Sequence, residues 1–190
     1  YNKTKITDDI NNINGVQVPP LKDLLKKIDW NYICNPVPVK FHGDLQFDNI
    51  LVNRDEKSHL TKFVLLDWRQ DFGGLINAGD LYYDLAKLYG GMIISYQLIK
   101  KGDFSFDMSG SSIHYNYIIR NDLIEAKEEY ESFIKKNNFD LDKIKIITSL
   151  IFLNMSPLHK EPFDLMLYYL GKSMLYKSLK NPENTSNSKK

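Results

Sequence analysis

The sequence predicts an α+β fold, mainly helical, with short β-strands gathered toward its N-terminal half. Three observations carry that reading. Brief apolar runs of strand length come early, at residues 37–41, 50–52 and 63–66. Apolar stripes at steps of three and four dominate from Leu81 onward. The chain has 190 residues, 43% hydrophobic and 13% aromatic, enough to close one core. Strands first and helices afterwards is the pattern of an α+β domain.

The elements follow in order. Residues 1–20 are polar, rich in Asn and Asp, and end in a Pro pair, so they read as a linker or loose lead-in. Leu21, Leu24, Leu25 and Ile28 sit at helical spacing and predict a short amphipathic helix over residues 21–30. Pro36 and Pro38 stop it, and β-compatible residues run on to Phe41. The runs at 50–52 and 63–66 predict two strands, and polar residues 53–62 between them predict a hairpin turn. Residues 68–79, with Gly73, Gly74 and Gly79, predict an irregular loop.

Asp80 is placed to cap a helix whose stripe is Leu81, Leu85, Leu88, Met92, Tyr96 and Ile99, with a bend expected at Gly90-Gly91. Partial alternation over residues 104–119 predicts a further hairpin. Three helices complete the domain, at 122–136, 140–153 and 162–179, with Asp140 and Pro162 as start signals. The tail, 181–190, is polar and expected to be disordered. The domain proper is thus expected to span 21–180.

Composition excludes several functions. Basic and acidic residues balance at 25 against 24, so no bulk field draws the chain to nucleic acid or to a lipid surface. One cysteine, Cys34, rules out an internally disulfide-stapled scaffold and reads as an inert thiol. No apolar run nears the roughly 20 residues of a membrane helix. A soluble, cytoplasmic protein is therefore expected, with no nucleic acid or membrane partner.

The chemistry is concentrated in residues 41–51, FHGDLQFDNIL. Two predicted strands flank this loop, so its polar side chains stand between apolar anchors. Asp44 supplies a carboxylate able to accept a proton from a hydroxyl, and Asn49, five positions on, supplies a neutral oxygen suited to Mg²⁺. Eighteen residues after Asn49, at a strand end, Asp67 offers a second hard oxygen. Phosphoryl transfer asks for these parts: a carboxylate to orient the attacking hydroxyl, and oxygen ligands for the metal that neutralises the phosphates. An Asp, four residues, an Asn, then a strand ending in Asp is the order found in kinases.

HGDLQFDNIL, followed by LLDWRQDFGG and GDLYYDLAKL, resembles the aminoglycoside phosphotransferase and choline kinase-like superfamily, which shares the protein kinase-like fold. The resemblance covers residues 40–88 and is carried by His42-Gly43-Asp44-Leu45, Asn49, Asp67-Trp68, Gly79-Asp80 and Asp84-Leu85-Ala86. It implies the C-terminal lobe of such a kinase, with Asp44 as catalytic base and Asn49 and Asp67 holding Mg²⁺. It implies ATP or another NTP as co-substrate, and as acceptor the hydroxyl of an amino alcohol, sugar or aminoglycoside. His42, Asp80 and Asp84 would support the loop. Gln46 and Asp48 are candidate substrate contacts or merely solvated. His159, Glu161 and Tyr168, on or after a polar inter-helix loop, are weaker substrate candidates, since C-terminal helices commonly build the acceptor pocket in this superfamily.

The N-terminal nucleotide-binding lobe of these kinases has no counterpart here: residues before His42 carry neither a Gly-rich loop nor a strand with a Lys. Residue 1 is Tyr, so a longer protein, with its N-terminal lobe as partner, is expected, and the fragment alone is expected to be inactive. Arg69 reads as an ion-pair partner of Asp71, with phosphate contact as the other possibility. His59 and His114 have no metal-ligand spacing. A catalytically incomplete binding or regulatory module is the alternative function. A two-metal hydrolase lacks the further ligands it would need.

Overall fold

The computed structural model describes residues 10–54 and 61–180. The fold is α+β and mainly helical. Its strands are β1 (Asn12–Ile13), β2 (Val16–Gln17), β3 (Pro38–Val39), β4 (Ile50–Arg54), β5 (Thr61–Leu65), β6 (Gly79–Asp80), β7 (Phe104–Ser109) and β8 (Ser112–Tyr117). Its helices are α1 (Leu21–Leu25), α2 (Trp30–Ile33), α3 (Leu81–Ile93), α4 (Tyr96–Lys100), α5 (Asn121–Lys136), α6 (Leu141–Met155) and α7 (Phe163–Lys180). Three small sheets form, in the orders β2-β1-β8-β7, β3-β6 and β4-β5.

The core lies where α3, α5, α6 and α7 meet, around Ala86, Tyr89, Ile134, Ile144 and Tyr169. A second cluster, built on Phe152, Phe163, Met166 and Leu167, fills the side toward α4 and β7. Local signals explain the helix starts. The Asp80 side chain accepts the Tyr82 amide hydrogen at α3, and Asp140 accepts that of Lys143 at α6. The hairpin β7-β8 turns at Gly110 with φ 56°, a conformation that suits glycine.

Three expectations are corrected. Residues 10–18 are not a loose lead-in. Ile10, Ile13 and Val18 are buried, β1 runs parallel to β8, and the buried Lys172 ammonium donates to the Ile10 carbonyl at 3.0 Å. Three apolar side chains and a buried cation fix a segment whose composition is otherwise that of a linker. The helix expected over 21–30 is split into α1 and α2, because Asp29 takes the Tyr32 amide and starts a new turn. Gly90-Gly91 does not bend α3. The two glycines are points of close approach: a Cβ would lie 3.2 Å from the Phe152 ring at Gly90 and 3.0 Å from the Phe47 ring at Gly91. The helix instead breaks after Ile93, before α4. Residues 1–9, the turn at 55–60 with His59, and the tail 181–190 lie outside the described residues.

One surface is unusually apolar. In β4-β5, Leu51 pairs with Val64 and Val52 with Phe63. Successive residues face opposite sides of a strand, so both sides of this ribbon carry apolar pairs. All four side chains are exposed, as are Leu75 and Ile76 in the following loop. Among the described residues no helix is long and apolar enough to cross a membrane.

Candidate functional site

The loop at 42–49 is held from three directions. From α3, the Asp84 carboxylate accepts the His42 amide hydrogen at 2.6 Å and that of Gly43 at 2.8 Å. From within, the Asp44 amide donates to His42 Nδ1 at 3.2 Å, and the Asn49 side-chain amide donates to the Asp44 carbonyl at 2.9 Å. From β5 and beyond, the Leu66 amide donates to the Asn49 carbonyl at 2.8 Å and the Arg69 amide to the His42 carbonyl at 2.9 Å. These last two bonds lay residues 66–69 along the loop, so Asp67 stands beside Asn49.

Gly43 makes this approach possible. Its φ is 79°, and a Cβ there would fall 2.7 Å from Arg69 Cβ. No other residue meets both demands. Asp67 also takes a positive φ, 58°, unusual for a residue with a side chain and the sort of local strain that collects at functional sites. The His42 ring lies 5.0 Å from that of Trp68, and its Nε2 is buried without a hydrogen-bond partner. Asp80 ties β3 to α3 by accepting from the Val37 and Tyr82 amides.

Asp44 differs from the free carboxylate that the sequence suggested. It is buried, and both of its oxygens are engaged. Lys87 Nζ meets Oδ1 at 2.7 Å and the Arg69 guanidinium meets Oδ2 at 2.7 Å. Burial works to raise the Asp44 pKa, but the hydrogen bonds and charges of Lys87 and Arg69 outweigh it and hold the carboxyl below its ordinary value. Arg69 therefore pairs with Asp44 rather than with Asp71, whose side chain accepts the Gly74 amide instead. The loop 69–74 turns back on itself, which leaves Arg69 facing the site.

Beside the loop is a cavity of about 180 Å³ between α3, α4 and the start of α5, lined among others by Gln46, Asp48, Lys87, Tyr96, Arg120 and Asp122. Burial, with the Asp44 charge second, pushes the Tyr96 phenol up to about 12. Of the weaker candidates, Gln46 and Asp48 face this cavity, whereas His159, Glu161 and Tyr168 are not in its lining. His159 instead packs edge-on against Phe163 at 4.8 Å and tilted against Tyr96 at 5.7 Å, and Tyr168 packs edge-on against Tyr169 at 5.1 Å.

Sequence reasoning missed Lys87. The available signal was its spacing: Lys87 stands three residues after Asp84 on one helix, so both face the loop.

The metal question turns on donors. Among the described residues no group of three or more His, Cys, Asp or Glu side chains is gathered as a cage. Asn49 spends its NH₂ on the Asp44 carbonyl and retains its side-chain oxygen, while Asp67 is exposed and follows Leu66, whose amide binds the Asn49 carbonyl. Two such oxygens fit Mg²⁺, which keeps several waters and takes its remaining ligands from phosphates.

No family profile, curated protein or solved structure matches the chain.

Proposed function

We propose that the chain is the C-terminal lobe of an ATP-dependent small-molecule kinase of the aminoglycoside phosphotransferase and choline kinase-like kind. The observation that carries this reading is the meeting of two separated segments. Asn49 binds the Asp44 backbone with its amide, and Leu66, the residue before Asp67, binds the Asn49 backbone. The base and both oxygen ligands thus share one small region.

In this reading Asn49 and Asp67 would hold Mg²⁺, which would supply charge neutralisation to the transferring phosphoryl group. Asp44 receives the acceptor's hydroxyl proton as the hydroxyl oxygen bonds to the γ-phosphorus. The bond from that phosphorus to the bridging oxygen breaks, and ADP leaves with the electron pair. Arg69, 56% exposed at its side chain, is free enough to swing from Asp44 to a phosphate oxygen. Asp84 keeps the loop backbone in place throughout. The apolar pairs of β4-β5 supply a surface on which a nucleotide base and an N-terminal lobe would close.

The double ion pair on Asp44 favours a second reading, a kinase-like binding or regulatory module in which the carboxylate is purely structural. The full-length protein separates the two. Offered Mg²⁺-ATP and small alcohols, it should form a phosphorylated alcohol, and Asp44→Asn should lower turnover by about 10³-fold while ATP still binds. Product formation that is indifferent to Asp44→Asn, or nucleotide binding without any turnover, would favour the regulatory module.

A further inference from the structure

The cavity beside the loop narrows the acceptor. It rests against Phe47, Gly91 and Phe152 and is bordered by residues of α4 and α5. Its volume of about 180 Å³ compares with the roughly 150 Å³ of an engineered cavity that holds benzene. A ligand of one ring, or an open chain of similar bulk, fits it.

Four charged side chains line the cavity: Lys87, Arg120, Asp48 and Asp122. Arg120 and Asp122 pair with each other, by two hydrogen bonds from the one guanidinium. Two positive and two negative groups give no net attraction for a polycation. Lys87 is the charged group at the end nearest the base, since its ammonium contacts Asp44 and its side chain is only 9% exposed. Asp44 itself does not line the cavity, so a ligand reaching toward the base from this side meets Lys87 first. Of three N–H donors, one goes to Asp44 and one weakly to Met155 Sδ at 3.6 Å, which leaves one for a ligand.

We propose that this cavity takes the acceptor, that the Lys87 ammonium donates a hydrogen bond to the acceptor's hydroxyl oxygen beside Asp44, and that the acceptor is a small uncharged polyol or hydroxy acid rather than an amine. This rests on the kinase reading for its chemistry and on the cavity for its specificity. An ammonium carried two or three atoms from the reacting hydroxyl would meet the Lys87 ammonium, which has donors and no lone pair to offer it, so neither group would gain a hydrogen bond there. A hydroxyl or carboxylate oxygen at the same place completes the hydrogen bonding of Lys87. The residue makes no bond and breaks none: it holds the oxygen whose proton passes to Asp44.

The test uses the full-length protein with glucose, inositol, glycerate, choline, ethanolamine and kanamycin. Phosphorylated product is read by mass spectrometry with Mg²⁺-ATP, and binding by calorimetry without nucleotide. Glucose, inositol or glycerate should be bound and phosphorylated in preference to the three amines. Lys87→Met should weaken acceptor binding and raise its KM by about tenfold or more, with the KM for ATP unchanged. Gln97→Trp, at an exposed position of the lining, should do the same by obstruction and serves if Lys87→Met fails to fold. Preference for an amine, or acceptor affinity unaltered in a folded Lys87→Met and in Gln97→Trp, overturns the proposal. So does a wild type that phosphorylates other alcohols but binds none of these polyols and acids. If ATP is neither bound nor consumed, the kinase reading fails by itself. Calorimetry then still decides the cavity: Lys87-dependent binding of a polyol or hydroxy acid upholds it, and no binding overturns it.

Discussion

Asp84 accepts the backbone amide hydrogen of His42 at 2.6 Å, across 42 residues of sequence, and both partners are buried. The same carboxylate takes the Gly43 amide with its other oxygen. One side chain on a long helix therefore sets the path of the loop that carries Asp44.

Removing that carboxylate strands two buried donors. Asp84→Ala should destabilise the protein by about 3 kcal/mol and Asp84→Asn, which keeps one acceptor, by roughly half as much. Urea unfolding of both variants checks the order, and equal losses would show that the loop finds other partners.

Gly43→Ala combines a left-handed backbone with a collision against Arg69. A destabilisation of more than about 1 kcal/mol is expected from the backbone alone. Displacement of Arg69 should add to it, so Gly43→Ala made on an Arg69→Gly background, which lacks the colliding Cβ, should cost less than on the wild type. The thermal midpoints of the three variants decide.

The Asp44–Lys87 pair is buried at both ends, so breaking one side leaves a charge without its partner. Asp44→Asn or Lys87→Met alone should each cost about 3 kcal/mol, and the double variant should cost less than their sum. A double-mutant cycle by chemical denaturation measures the coupling. Additive losses would mean that the pair is not a unit.

Acid should weaken the fold in two stages. Burial lowers the His159 pKa below 6.5, with the Asp164 charge only partly offsetting, so the folded state favours neutral imidazole. Stability from this group is complete above pH 6.5 and declines as pH falls below it. Asp44 and Glu131 are both held below their ordinary values of 3.8 and 4.5, so what they contribute is lost at lower pH still, as protonation proceeds toward their folded-state values. Denaturation midpoints from pH 7 to pH 3 should fall in both ranges. His159→Gln should flatten the upper decline and leave the lower one, and an unchanged upper slope would exclude His159 as its source.

Much of the helical half is legible in the chain because its signals are local. Asp80 and Asp140 cap the helices they precede, and the stripes behind them run without interruption for several turns. The strands at 12–13 and 16–17 escape such reading because each is only two residues long and the pair joins the sheet through β1 on β8, about 100 residues on. Hydrophobic periodicity needs a longer window than that. In the candidate site, Asp44, Asn49 and Asp67 are singled out by motif spacing, which encodes backbone path. Lys87 and the Asp44 partner of Arg69 are not, since charge pairing depends on how the loop and α3 meet in space.

The same helix that steadies the loop through Asp84 also carries Lys87 and packs against α6, where the Thr148 hydroxyl donates to the Ala86 carbonyl. On the kinase reading proposed above, catalytic posture and ligand choice would in this way be welded to a single lever. Directed evolution toward new acceptors should therefore accumulate its changes at Gln97, Arg120 and Asp122, on the far rim, while substitutions along α3 are purged for lost activity. Compensating revertants of α3 lesions should map to the Thr148 seam.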